Sequence, residues 1–138
     1  AAVLAAIPGR DLLRKRIDEI AASASPVIGT MQRLSDGRVV YFKQPADADV
    51  ARICMRDEAG GERVLLDPTE LPRPEGGGHL AASFFRVSPD CQKLLYGVAA
   101  SGSEEEVLHV RDIATGRDLP VARDRIESVY VKPSWLPD

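Results

Sequence analysis

No stretch of this 138-residue chain holds the ~18 to 20 consecutive apolar residues that a membrane helix needs. Nor does any basic run supply the electrostatic footprint of nucleic-acid binding, and the net charge is −3. Membrane and nucleic acid are therefore not expected as partners. The only cysteines, Cys54 and Cys91, lie 37 residues apart (91 − 54 = 37) without a Cys-x-x-Cys spacing. Neither a disulfide framework nor a zinc site is signalled, and reduced thiols are expected. The expected compartment is the cytoplasm, with the periplasm as the alternative. No Gly-x-Ser-x-Gly unit occurs, and the glycine run 76–78 lacks the lysine and the strand-to-helix context of a phosphate loop. No catalytic, cofactor-binding or metal-ligating residue is assigned, and no cofactor is expected.

With 44% hydrophobic and 28% charged residues, the chain has the composition and length of one folded domain. The opening "AAVLAAIPGR" is apolar but has no preceding positive charge, so it reads as a helix lead-in or a trimmed end rather than a signal peptide. From Asp11 to Ala22, Leu12, Leu13, Ile17 and Ile20 recur at helical spacing while Arg14, Lys15, Asp18 and Glu19 fall elsewhere, which predicts an amphipathic helix within a segment 1–25. After "SASP" the pattern turns to β. Strand-like runs are "RVVYFKQ", "VARICMRD", "ERVLLD", "AASFFRVS", "KLLYGVAA", "EVLHVRDI" and "SVYVKPSW", most of them bounded by Gly, Pro, Asp or Ser clusters.

These runs repeat. Asp36-Gly37 precedes "RVVYF" and Asp90-Cys91 precedes "QKLLYG", an offset of 54 (90 − 36). "RICMRDEAGGERVLL" matches "VLHVRDIATGRDLPV" with Arg56-Asp57 on Arg111-Asp112 and Gly61 on Gly116, an offset of 55 (111 − 56). A third unit begins at 127–138, where Pro137-Asp138 follow Pro89-Asp90 by 48 (137 − 89). Each unit reads as a four-stranded meander, and meanders recurring every ~40 to 50 residues mark the blades of a β-propeller. The predicted fold is mainly β: a partial propeller over 26–138, with blade-like repeats at 35–67 and 83–122 and a third begun at 127–138, after an N-terminal α-helix. A sandwich of seven or eight strands is the alternative, but it would need no repeat.

Residue types that could do chemistry have structural readings here. Ser101 and Ser103 flank Gly102 in a strand-to-strand turn. His109 takes the place of Cys54 in the preceding repeat, which suits blade packing and not a catalytic base. His79 is a loop histidine after the glycine run. Glu104, Glu105 and Glu106 form a solvated turn. In the recurring Arg56-Asp57 and Arg111-Asp112, neighbours on a strand face opposite ways, so they cannot pair side by side. Asp57 and Asp112 are instead expected to cap their turns.

In order, the helix, "DGRVVYFK", "RVLLDPTEL", "FFRVSPDCQKLLYG", "GSEEEVLHVRDIATGRDLP" and "SWLPD" resemble the first part of the propeller of the prolyl oligopeptidase family of serine peptidases, which includes the oligopeptidase B branch. The resemblance covers roughly Asp11 to Asp138. It departs at Cys91, where the family has glycine, and a looser turn is expected there. It implies a larger enzyme in which the propeller caps an α/β-hydrolase domain, limits substrate access by size, and leaves the hydrolysis of short peptides to a Ser-Asp-His triad outside this chain. The alternative is a non-enzymatic propeller that binds partners through its loops. A homo-oligomer formed through exposed strand edges is also expected.

Overall fold

The computed structural model describes residues 8–23, 25–72, 78–100, 103, 105–126 and 133–136. Helix α1 spans Arg10–Ala22, one residue more than its apolar periodicity suggests. Its C-terminal turn is closed by the Ser23 hydroxyl, which donates to the Ile20 carbonyl at 2.8 Å. Leu12, Leu13, Ile17 and Ile20 are all more than half exposed, so the apolar stripe of this helix covers none of the core.

Eight strands follow, β1 (Val27–Arg33), β2 (Val39–Gln44), β3 (Arg52–Arg56), β4 (Glu62–Leu66), β5 (Leu80–Val87), β6 (Lys93–Ala100), β7 (Glu106–Asp112) and β8 (Asp118–Ile126). They form two antiparallel sheets, β1-β2-β3-β4 and β5-β6-β7-β8, each a meander of consecutive strands. A partial β-propeller after an N-terminal helix is what this architecture shows. Strand β1 lies in "VIGTMQR", a stretch that the sequence reading leaves unassigned. The start of a third unit falls mostly on 127–132 and 137–138, outside the described residues.

The registers make the two sheets equivalent residue by residue. Tyr41 pairs with Cys54 in the first sheet and Tyr96 with His109 in the second. Val39 pairs with Arg56, and Leu94 with Arg111. Because side chains alternate along a strand, each sheet buries one row against the other. Val40, Ile53, Met55 and Leu66 of the first sheet meet Phe85, Leu94, Tyr96 and Val98 of the second in one core. The Phe42 and Phe85 rings meet edge to face at 5.1 Å between centroids. A second, smaller cluster of Phe84, Leu95 and Leu108 lies on the far face of the second sheet, where Trp135 packs against it.

The turn between β5 and β6 corrects the expectation of a looser loop. Cys91 has φ 58°, in the left-handed region, just as Gly37 has φ 86° at the matching place in the first sheet. Both turns close by the same bond, Gly37 N–H to the Leu34 carbonyl at 3.2 Å and Cys91 N–H to the Ser88 carbonyl at 2.8 Å. Cys91 holds this conformation because its side chain is buried, with Sγ 3.3 Å from the Ser35 hydroxyl.

Candidate functional site

A Tyr, Arg and carboxylate cluster recurs in the two sheets, and in the second it joins sheet to sheet. In the second sheet the Arg111 guanidinium lies over the Tyr96 ring, 5.4 Å from its centroid. It donates from Nε and Nη2 to the two Asp118 oxygens, both at 2.8 Å. The Tyr96 hydroxyl donates to Asp118 at 2.9 Å. Arg111 Nη1 then crosses to the other sheet and donates to the Leu65 carbonyl at 2.7 Å. Planarity suits arginine to this task, since one fork can grip a carboxylate while the remaining nitrogen reaches a carbonyl.

Tyr41, Arg56 and Glu62 repeat the cluster in the first sheet. Arg56 lies 5.9 Å from the Tyr41 centroid and 3.7 Å from Glu62, and the Tyr41 hydroxyl donates to Glu62. Lys43 also holds Glu62, at 2.5 Å. The electrostatics agree in both clusters. Burial alone would raise the Asp118 carboxyl, but hydrogen bonds from Arg111 and Tyr96 outweigh it and hold the group below the usual carboxylate range. Glu62 is lowered by its bonds from Lys43 and then Tyr41. Burial, and the carboxylate beside each, push both tyrosines up, so they stay protonated donors.

Further side chains stitch the sheets. The Gln32 amide accepts from the Val87 N–H at 3.1 Å and donates to the Val87 carbonyl at 3.4 Å. Arg38 donates to the Cys91 carbonyl at 2.9 Å, and Arg63 to the Ile113 carbonyl at 2.5 Å. Trp135 extends the pattern outward, its indole N–H donating to the Arg86 carbonyl at 3.2 Å.

The residues weighed for chemistry are held in local or packing contacts. The Ser103 hydroxyl accepts from the Glu105 N–H at 3.1 Å and donates to the Glu105 carbonyl at 3.2 Å, a serine turn. Ser101 and Glu104 lie outside the described residues. His109 stacks on Tyr96 at 5.2 Å between centroids, the packing role expected of it. His79 is exposed just before β5, and Glu106 is buried at the start of β7. Cys54 is buried and its thiol is pushed up by that burial, so it is a poor nucleophile. Both cysteines are free. Asp57 and Asp112 do cap their turns, Asp57 accepting from the Gly61 N–H and Asp112 from the Thr115 N–H, each at 2.7 Å. Among the described residues, no group of three or more His, Cys, Asp or Glu could hold a metal, and no helix is long and apolar enough to cross a membrane.

Family comparison agrees with this repeat. The family model for the N-terminal β-propeller domain of prolyl oligopeptidase matches residues 1–138. The chain belongs to the prolyl oligopeptidase N-terminal propeller family. A prolyl endopeptidase, one of two solved for an analysis of inter-domain dynamics in catalysis and specificity, superposes with a TM-score of 0.75 at 30% identity. The match covers 89% of this chain and 18% of that one, so the chain spans under a fifth of that relative's length. No curated protein matches. Arg111 is the contact to the neighbouring blade, and Asp118 holds it from within its own sheet. Sequence reasoning saw the repeated Arg-Asp pair but missed Glu62 and Asp118 as the arginines' partners. The available signal was a Tyr, Arg and carboxylate at matching places in both repeats.

Proposed function

We propose that this chain forms the opening blades of the propeller of a serine-type oligopeptidase. In this reading a downstream α/β-hydrolase domain carries the Ser-Asp-His chemistry, and the propeller admits short peptides while excluding larger ones. The carrying observation is the family match across residues 1–138, reinforced by two equivalent sheets joined by direct side-chain to main-chain bonds. A gate of this kind must resist splaying, and direct side-chain to main-chain bonds across the sheets supply that resistance. The exposed apolar face of α1 would be covered by a further domain of a longer chain.

The test uses the longer enzyme that carries this segment, assayed on peptides of rising length around one scissile sequence. The rate falls steeply once the peptide is too large to enter, and Arg111→Ala, which loosens the junction between the blades, softens that fall without altering the rate on the shortest peptide. A rate independent of length in both proteins overturns the gating role. Absence of any peptidase activity from the longer protein would favour a non-enzymatic binding module.

A further inference from the structure

We propose that the two sheets work as one rigid section of the propeller wall, and that a peptide passes the propeller without parting them. Passage of a peptide rests on the peptidase reading, while the rigidity rests on the junction alone. Bonds cross that junction at its two sides and at one end. Beside the ends of β1 and β5, the Gln32 amide holds both the N–H and the carbonyl of Val87. At the adjoining turns, Arg38 donates to the Cys91 carbonyl at 2.9 Å and the Ser35 hydroxyl lies 3.3 Å from Cys91 Sγ. Along β4 the direction of donation alternates. Arg63 donates to the Ile113 carbonyl at 2.5 Å, while the Leu65 carbonyl on the same strand accepts from Arg111 at 2.7 Å. The shared apolar core, with Val40 and Ile53 against Phe85 and Tyr96, fills the space between these bonds.

The chemistry of the crossing bonds suits a junction that stays shut. Each arginine ends on a main-chain oxygen of the other sheet, which cannot swing away as a side chain can. Arg38 and Arg111 are also aimed from behind, by Asp36 and Asp118 of their own sheets. Strand β4 is shaped for its part. Ile53 pairs with Leu66 and Cys54 with Val64, so Leu65 is left out of the ladder and its carbonyl is available to Arg111. Opening the junction at any one place strains the bonds at the others, and opening it fully also wets the core. The two sheets therefore open together or not at all, as one cooperative unit.

Native-state hydrogen exchange on this chain tests the rigidity without calling on any peptidase activity. The slowest amides of β2 and β3 and those of β6 and β7 exchange through one opening, with the same free energy and the same dependence on urea. Arg63→Ala removes a bond made only across the junction, and lowers the protection of β6 as much as that of β3. Separate openings for the two sheets, or a loss confined to the first sheet in Arg63→Ala, overturn the proposal. Passage is tested in the longer enzyme with Ser35→Cys, which sets a second thiol beside Cys91 across the junction. The exposed position admits diamide, which takes up the protons and electrons that the thiols lose as the disulfide forms, and mass spectrometry confirms the bond. The oxidised and reduced forms then cleave peptides of every length at the same rates. A rate that falls on oxidation and returns with dithiothreitol shows that the sheets must part to admit substrate, and overturns the passage without parting.

Discussion

Arg111 donates to the main-chain oxygen of Leu65 at 2.7 Å, across the gap between two sheets, while Asp118 grips the same guanidinium from within its own sheet. One side chain thereby fixes both the outer turn of its own meander and the position of the neighbouring one. We expect Arg111→Ala to cost about 1.5 to 3 kcal/mol, since it strands a half-buried carboxylate and a carbonyl together. Arg56→Ala should cost under about 1 kcal/mol because its pair is solvent-exposed. Urea unfolding of the two variants checks the contrast, and equal losses would contradict it.

Acid should loosen the same junction. The folded-state pKa of Asp118 is lowered, so its contribution is fully present above the unfolded value of about 3.9 and is lost as pH falls through the folded value. The urea midpoint is expected to stay nearly level from about pH 7 to 5 as far as this group is concerned, and to drop below about pH 4. Asp118→Asn should make the drop shallower while lowering the midpoint at neutral pH. An acid limb with unchanged slope in the variant would remove Asp118 from this role.

Asp112 accepts from both the Thr115 N–H and the Thr115 hydroxyl, and these bonds lower its pKa. Replacing it by alanine is expected to lower the melting temperature, because the local hydrogen bonds to Thr115 that close the turn are lost. Glu105→Ala, on an exposed residue, serves as the control. Thermal melts that shift equally for the two would tell against the capping role.

At Cys91, left-handed φ opposes burial of the thiol. Cys91→Ala removes the Sγ packing and keeps a Cβ in the left-handed region. Cys91→Gly removes the same packing but relieves the backbone, worth roughly 1 kcal/mol. The glycine variant should therefore melt above the alanine variant, and the reverse order would show that φ at this turn carries no strain.

The fold was legible where alternation and turn chemistry coincide. The Asp36-Gly37 and Asp90-Cys91 turns announced the unit, and Asp57 and Asp112 announced its outer turn. Strand β1 was not legible, because nearly all its side chains are exposed and Gly29, Thr30 and Gln32 interrupt any apolar alternation. The carboxylate partners were hidden by a one-residue difference in loop length. Asp57 N–H closes onto the Gly61 carbonyl, whereas Asp112 N–H closes onto that of Arg117. Gly60 and Gly116 are consequently the left-handed positions, not Gly61 and Gly116 as simple alignment suggests. The arginines stay 55 apart (111 − 56) while Glu62 and Asp118 are 56 apart (118 − 62), so one offset cannot align both. Contacts between sheets, such as Gln32 with Val87, depend on tertiary placement that no local pattern encodes.

We infer that these residues build the blades of a peptidase's propeller and leave its chemistry to other parts. Incubating the purified chain with chromogenic prolyl and dibasic peptides tests it most directly. No chromophore is released above buffer, because Ser103 is bound into its own turn and His109 is stacked on Tyr96. Turnover that follows the protein through repurification, and is blocked by a serine-directed inhibitor, would contradict it.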